Sequence, residues 1–154
     1  MTLRPATTDA DLGAVRRLFR AYAESLDFDL CFQDFERELD RLPGSYASPA
    51  GRIVLAEVDG EPVGVVAVQP LDDDGVCEMK RLYVDPAHRG QGIARALTER
   101  LLDVARSIGY STMRLDTVAS MTAARSLYRS LGFTERNAYY DNPLPDVVYM
   151  ERDL

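Results

Sequence analysis

The feature that most constrains this chain is a glycine-rich turn between a strand and a long helix. A strand-like run ends at Pro86, and Gly90 and Gly92 follow it. Apolar residues then recur at helical spacing until Gly109, so a helix is predicted to begin near Arg89. Such a turn leaves backbone N–H groups unpaired beside the positive end of the helix dipole. The sequence therefore predicts an anion site at this turn.

Local patterns place the other elements. Thr8 and Asp11 form a helix-capping pattern, and Asp59-Gly60 is typical of a hairpin turn between two strands. Helices are predicted at Asp9–Leu26, Phe32–Leu42, Arg89–Ile108 and Thr122–Leu131, and a loop at Ser45–Gly51. Strands are predicted near Leu3, at Ile53–Val58, Val63–Gln69, Val76–Val84 and Met113–Thr117, with one or two more at the end of the chain, Val147–Glu151 among them.

This order of elements predicts a mixed α/β (α+β) fold in a single domain that spans residues 1–154. Three consecutive strands joined by turns form an antiparallel meander, whereas strands separated by a helix pair in parallel. The central sheet is therefore expected to be mostly antiparallel and to contain at least one parallel pair.

The composition of this 154-residue chain argues against several classes of function. Lys and Arg number 18 against 25 Asp and Glu, and the net charge of −7 argues against a nucleic-acid partner. The one histidine and two cysteines lack the spacing of a metal site, so no metal is expected. The sequence shows neither a signal-peptide pattern nor an apolar run that could span a membrane, so we expect a cytoplasmic protein without a membrane partner.

Two common phosphate-binding loops do not fit the turn. The P-loop requires a Lys-Ser or Lys-Thr pair after its glycines, and no such pair follows Gly92. The dinucleotide-binding pattern requires a small residue where this chain has Arg95. Both loops are therefore excluded.

The turn instead resembles the acyl-CoA pyrophosphate loop of the GNAT superfamily of N-acyltransferases. Arg89, Gly92 and Ala94 carry its Arg-x-x-Gly-x-Ala pattern. The resemblance covers nearly the whole chain and includes Leu82–Pro86 as the family's fourth strand, Leu115–Thr117 as its fifth, and Ala124, Leu127, Tyr128 and Leu131–Phe133 as its fourth helix and following turn. It implies a single domain with a splayed pair of parallel strands and four flanking helices.

The resemblance also implies that acetyl-CoA is the co-substrate. The residues implied to bind it are Leu82, Tyr83, Val84, Arg89, Gly90, Gln91, Gly92, Ile93, Ala94 and Arg95. If the parallel strands splay apart after Val84 and Thr117, main-chain groups near Leu82 and Val84 are free to hold the acyl carbonyl and the pantetheine arm.

One position departs from the family pattern. Relatives often carry Asn seven residues before the helix tyrosine, where this chain has Met121. The polar anchor to the pantetheine arm is therefore missing, or it is replaced by Ser120 or Thr122.

Acyl transfer to an amine needs a base for the ammonium proton. Glu78 and Asp116 are the candidates, with Glu78 slightly preferred and a water relay from either left open. Strand alternation places Glu78 on one face with Lys80 and Leu82, so an ion pair with Lys80 is the other interpretation. His88 lies at the phosphate turn, far from the expected acyl end, and is interpreted as a loop residue.

The departing thiolate needs a proton or a hydrogen bond, and the resemblance marks Tyr128 for that role. The reference pKa of tyrosine, about 10, lies above the value of about 8.5 for a thiol, so full proton transfer would be uphill by about 2 kcal/mol. We therefore expect Tyr128 to hydrogen-bond the leaving sulfur, with proton transfer late or incomplete.

The wall of the acceptor site is expected in two loops. Its candidates are Tyr139 and Tyr140, which precede the last strand, and Phe28, Leu30 and Phe32, which join the first two helices. The acidic run Asp72–Asp74 either attracts a cationic amine or only forms a turn.

These features predict an N-acetyltransferase that transfers an acetyl group from acetyl-CoA to a primary amine of a small molecule or peptide by direct attack in a ternary complex. The alternative is a non-catalytic acyl-CoA-binding sensor or accessory domain on the same fold. A modifier of ribosomal proteins or histone tails would also need an acidic peptide groove. Members of this family are often dimers, so a homodimer stays open.

Overall fold

The computed structural model describes residues 1–26, 28–30 and 34–154. The helices are α1 (Asp9–Ser25), α2 (Phe35–Asp40), α3 (Ile93–Ile108) and α4 (Thr122–Ser130). The strands are β1 (Thr2–Pro5), β2 (Arg52–Val58), β3 (Glu61–Pro70), β4 (Val76–Val84), β5 (Thr112–Val118), β6 (Thr134–Arg136) and β7 (Val147–Asp153). Among the described residues, short 3-10 turns occur at Gly44–Tyr46 and Pro86–His88, and the predicted loop Ser45–Gly51 begins inside the first of them.

The strands form one seven-stranded sheet in the order β1-β2-β3-β4-β5-β7-β6. Every neighbouring pair is antiparallel except β4 and β5, which run parallel. The helix α3 makes the crossover that a parallel connection requires. The predicted mixed α/β fold, with a mostly antiparallel sheet and a parallel pair, is confirmed.

The hairpin between β2 and β3 follows from its turn sequence. Val58 pairs with Glu61, so only Asp59 and Gly60 connect the strands. Both residues have positive φ, 52° and 80°, which is the conformation of the two-residue turns that match the twist of adjacent strands.

Apolar side chains cover both faces of the sheet. On the α3/α4 face they form a core that includes Leu97, Leu101 and Met113. On the α1/α2 face a second core includes Phe19 and Leu39. Because successive strand residues point to opposite faces, β2, β3 and β4 contribute to both cores, and groups on one face are separated from groups on the other by the sheet itself.

The helix α3 begins at Ile93, later than the predicted start near Arg89. Gly90 and Gly92 have φ of 78° and 81°, which a right-handed helix excludes. The turn between β4 and α3 is therefore longer than predicted.

The helix α2 is shorter than the predicted Phe32–Leu42. It ends at Asp40 because Pro43 disfavours the helical conformation at the residue before it. The predicted first residue, Phe32, lies outside the described residues.

A bulge interrupts β4. Arg81 and Leu82 together lie opposite one residue of β3, Val66, and Arg81 has a φ of 63°. The Arg81 guanidinium donates two hydrogen bonds to the Glu38 carboxylate, at 2.9 and 3.0 Å, which ties the bulge to α2.

Because of the bulge, the prediction that Leu82 shares a face of β4 with Glu78 and Lys80 is wrong. Alternation alone places Glu78, Lys80 and Leu82 on one face, but the extra residue turns Leu82 to the α3/α4 face, where it packs against the core. Cys77 and Met79 also belong to that core, so Glu78 and Lys80 face the α1/α2 side.

The strands β4 and β5 separate earlier than expected. Their pairing ends at Glu78 and Arg114, whereas we expected the splay after Val84 and Thr117. Within the described chain, the main chain of β4 beyond Glu78 has no strand partner on its β5 side. The gap that results extends along the second half of β4.

No helix in the described ranges is long and apolar enough to cross a membrane. In the same ranges, no group of three or more His, Cys, Asp or Glu side chains is arranged to hold a metal ion.

Candidate active site

The glycine-rich turn lines a groove of about 560 Å³ between the end of β4 and the first turns of α3 and α4. Gly92 caps α3 with a φ of 81° and provides no side-chain cap, so the helix presents its first N–H groups and the positive end of its dipole here. A Cβ built at Gly90 or Gly92 would meet nothing within 4 Å. An anion can therefore approach the backbone of the turn directly.

Arginines give this groove a positive field in an acidic chain. Arg89 and Arg95 line it, and no Asp or Glu of the described residues does. The Arg89 Nε donates to the Val84 carbonyl at 3.0 Å, and its guanidinium lies 5.5 Å from the centre of the Tyr83 ring. These contacts fix Arg89 beside the turn, where a guanidinium suits phosphate oxygens.

The residues expected to bind the cofactor lie together, with one exception. Those that line the groove are Leu82, Tyr83, Val84, Arg89, Gly90, Gly92, Ile93, Ala94 and Arg95, whereas Gln91 is exposed and does not. His88 also lines the groove, as a residue of the turn. Ser120 and Thr122, considered as replacements for the missing Asn, line it beside Met121, whose Sδ accepts a hydrogen bond from Thr117 Oγ1 at 3.3 Å.

Replacing Gly92 by valine is expected to raise the dissociation constant of acetyl-CoA by more than about 10-fold, because a branched side chain would stand where phosphate must touch the backbone. Calorimetric titration of the folded variant measures this constant. Gly60→Val is the matched control, because Gly60 has a φ of 80°, equally open surroundings and a place in the distant β2–β3 turn. A Gly92→Val variant that binds acetyl-CoA like the Gly60→Val variant would contradict the site.

A cavity of about 100 Å³ continues from this groove into the gap between β4 and β5. Both spaces share Tyr22, Leu82, Met121 and Ala124 in their walls. Phe28 and Leu30, predicted at the acceptor mouth, line this central cavity. Phe32 lies outside the described residues.

Tyr128 reaches the central cavity from α4, on the α3/α4 face. The residue is 7% exposed, and its ring packs edge-on against Phe133. Burial raises the pKa of the Tyr128 hydroxyl above its usual value, and the nearby Tyr22 and Asp116 act in the same direction. No described residue hydrogen-bonds this hydroxyl, so it is a neutral donor open to a ligand.

A third cavity, of about 410 Å³, lies on the other side of the gap and is called here the outer pocket. Lys80 lines both the outer pocket and the central cavity. The other residues of the outer pocket are Leu71, Asp72, Asp73, Glu78, Arg114, Tyr139 and Tyr140. Groove, central cavity and outer pocket thus follow one another across the sheet.

Glu78 is a buried carboxylate, 4% exposed, with hydrogen bonds to both oxygens. Gln69 Nε2 donates to Oε1 at 2.8 Å, and the Tyr139 hydroxyl donates to Oε2 at 2.6 Å. The Ser45 hydroxyl donates to the side-chain oxygen of Gln69, Oε1, at 2.6 Å and so orients the side-chain amide. The ion pair with Lys80 is present at 3.8 Å, longer than these hydrogen bonds, and Glu78 is not a surface residue.

Asp116 lies on the same face of the sheet and lines the central cavity, whereas Glu78 lines the outer pocket. The Tyr140 hydroxyl donates to Asp116 Oδ2 at 2.6 Å, and Asn142 Nδ2 lies 3.4 Å from the same oxygen. Both candidate bases are thus on the α1/α2 side of the gap, and Tyr128 approaches from the opposite side.

Tyr139 and Tyr140 line the outer pocket, but their hydroxyls are engaged by carboxylates of this chain. Their rings and that of Tyr149 pack edge-on with centroids 5.3 to 5.7 Å apart. The guanidinium groups of Arg114 and Arg136 lie 5.5 and 5.8 Å from the centre of the Tyr139 ring. These two tyrosines therefore position the candidate bases, a role that the sequence analysis missed.

Gln69 and Arg114 were also not predicted as residues of the site, although the sequence contains a signal for Gln69. Gln69 is the direct cross-strand partner of Glu78 in the β3–β4 hairpin, so a correct register would have paired them. Arg114 is the partner of Glu78 across the parallel pair, and no local pattern sets that register.

Comparison with known proteins identifies the family of the chain. The Acetyltransferase (GNAT) family matches residues 13–133. An uncharacterized N-acetyltransferase of Schizosaccharomyces pombe is 38% identical over 145 residues, which cover 94% of this chain and 89% of that protein. The N-acetylaspartate synthetase of Homo sapiens is 37% identical over 134 residues, which cover 86% of this chain but only 42% of that protein.

Solved structures share the fold. An acetyltransferase of the GNAT family from Staphylococcus aureus has a TM-score of 0.80 and 17% identity, with 99% of each chain covered. A Salmonella typhimurium protein solved with its cofactor acetyl-CoA has a TM-score of 0.78 and 24% identity, with 99% of this chain and 93% of that chain covered.

Fold, site and relatives together define an acyltransferase of the N-acetyltransferase type. The chain belongs to the Acetyltransferase (GNAT) family.

Proposed function

We propose that this protein transfers an acetyl group from acetyl-CoA to a primary amine of a small molecule or peptide, by direct attack in a ternary complex. The observation that carries the proposal is the succession of three spaces across the sheet: a groove with a phosphate-binding turn, a cavity containing Tyr128, and a pocket beside Glu78. Cofactor and amine can enter from opposite faces and meet in the gap between β4 and β5.

The groove suits the pyrophosphate of acetyl-CoA, held by the N–H groups that open α3 and by Arg89. The pantetheine arm then follows β4, whose main chain lacks a strand partner beyond Glu78. A main-chain N–H in this stretch can stabilise the oxyanion that forms when the amine nitrogen attacks the thioester carbon.

Tyr128 is proposed to assist the leaving sulfur when the C–S bond breaks. Burial raises the pKa of its hydroxyl, which makes the phenol a poorer acid than free tyrosine. Full proton transfer to the thiolate is therefore more unfavourable than the reference values indicate. Tyr128 acts by donating a hydrogen bond, and the thiolate takes the proton that the attacking amine nitrogen loses as the amide forms, through the base or solvent.

Cys77 does not suit an acyl-enzyme intermediate. It is 0% exposed, and burial raises its thiol pKa to about 12. A thiol with that pKa is protonated at neutral pH and is a weak nucleophile.

Glu78 is proposed to accept the ammonium proton, directly or through a water molecule. Its carboxylate faces the outer pocket and is oriented by Gln69 and Tyr139, so its oxygens have fixed positions. Asp116 remains the alternative base because it lines the central cavity, closer to Tyr128.

The test is thiol release from acetyl-CoA with a panel of amino acids, polyamines, simple amines and peptides. We expect at least one primary amine to support turnover, with initial-rate lines that intersect when both substrates are varied, as a ternary complex requires. Parallel lines would contradict direct attack. Tight acetyl-CoA binding without turnover on any amine would contradict the enzyme and favour the non-catalytic alternative.

A further inference from the structure

At one end of the outer pocket, Arg114 already forms an ion pair with a carboxylate of this chain, Asp73. Arg114 lines the pocket next to Glu78, its partner in the parallel register. Arg114 Nη1 lies 3.1 Å from Asp73 Oδ2, and the Asp73 side chain is 69% exposed in the connection between β3 and β4. Because the Asp73 side chain is mostly exposed, it can return to solvent at little cost, and another carboxylate can take its place on the largely buried Arg114.

The second carboxylate on Arg114 is held more firmly. Arg114 Nε donates to Glu151 Oε1 at 2.8 Å, and Arg136 Nη1 donates to the same oxygen at 2.7 Å. When Asp73 moves away, two guanidinium groups face the single charge of Glu151. Arg114 Nη1 then lacks its carboxylate partner, and an arginine fork is well suited to another carboxylate.

The acidic groups on this face include Glu78 and Asp116, and the basic Lys80 lines both the outer pocket and the central cavity. Glu78 lies beside Arg114, and Asp116 follows two residues later along β5, about 7 Å away by the rise of a strand. A molecule with an amine and a carboxylate a few bonds apart can therefore place its amine toward Glu78 or Asp116 and its carboxylate on Arg114.

We propose that Arg114 binds a carboxylate of the acceptor in place of Asp73, so that the acceptors of this enzyme are amino acids. The inference rests on the proposed acetyl transfer and adds the chemical class of the amine. Simple amines and polyamines lack the anionic group. The additional ammonium groups of a polyamine would also be repelled by Arg114.

The first test compares matched acceptors that differ only in the carboxylate. Alanine is paired with alaninamide, and aspartate with its diamide, each with saturating acetyl-CoA. We expect kcat/KM to be at least about 10-fold higher for the acid of the preferred pair, because a charge-assisted fork to Arg114 is lost in the amide.

Two substitutions then test the exchange. Asp73→Asn is expected to lower KM for the acids by about 2- to 5-fold, because a competing carboxylate is removed. Asp74→Asn, on the same connection but outside the pocket lining, is the matched control and should leave KM unchanged. Arg114→Gln is expected to bring the acid-to-amide ratio of kcat/KM close to one, a readout that general damage to the site would not move.

The outcomes separate this inference from the proposed function. If no amine releases thiol, acetyl transfer fails and the inference fails with it. If amides are acetylated as well as acids, or if Asp73→Asn leaves KM for the acids unchanged, acetyl transfer stands and the carboxylate site is overturned.

Discussion

Replacing Tyr128 by phenylalanine is expected to lower kcat by about 10- to 1000-fold with little change in the KM for acetyl-CoA. Phenylalanine keeps the edge-on packing against Phe133 but removes the hydroxyl that faces the central cavity. The loss falls on kcat because the sulfur is neutral in the bound thioester and gains negative charge as the C–S bond breaks, so the hydrogen bond is stronger in the transition state than in the ground state. Steady-state kinetics with varied acetyl-CoA measure both constants.

The pH profile adds a second readout for Tyr128. Because burial raises the pKa of this phenol, it keeps its proton from below neutrality to above the usual tyrosine range. Tyr128→Phe should therefore lower the rate by the same factor across that range. The rate is expected to rise with pH as the acceptor ammonium loses its proton to the base, and this rising limb should not shift in the variant. Tyr110→Phe is the matched control, since its hydroxyl donates to the Ala50 carbonyl and lines none of the three spaces. Equal kcat in both variants would leave Tyr128 a packing role only.

Local patterns were enough to predict most of the fold. The Asp59-Gly60 turn fixes the register of its hairpin because both residues accept positive φ, and the capping box at Thr8 and Asp11 forms as expected. The glycines before α3 were interpreted correctly as a turn, but their positive φ displaced the start of the helix to Ile93. These signals lie within a few residues of the structures that they determine.

The candidate site was less accessible to sequence reasoning because its contacts are distant in the chain. Tyr139 lies 61 residues from the carboxylate of Glu78 that it holds, and no periodicity connects them. The bulge in β4 likewise depends on a contact outside the strand, the pairing of Arg81 with Glu38 of α2. Because a bulge shifts every later residue to the other face, the position of Leu82 could not follow from alternation.

Exchange of Glu78 for glutamine is expected to lower kcat by about 100-fold or more, equivalent to about 2.7 kcal/mol in the barrier, and to flatten the rising limb of the pH profile. The amide keeps the shape but cannot accept the ammonium proton. It also places an NH₂ group toward one of the two donors, Gln69 or Tyr139, so thermal unfolding must show that the variant is folded at the assay temperature.

Asp116→Asn is the matched comparison because Asp116 is also held by a tyrosine hydroxyl on the same face, and it is expected to lower kcat less. The reverse ranking would assign the base to Asp116.

Glu78→Asp distinguishes direct proton transfer to the carboxylate from transfer through a water molecule. A carboxylate one methylene shorter can still act through water but cannot contact the ammonium directly. If both Glu78→Gln and Asp116→Asn kept full activity, the amine would have to lose its proton to solvent before binding. The rate enhancement would then come from positioning the two substrates in the gap between β4 and β5, without proton transfer to a basic side chain.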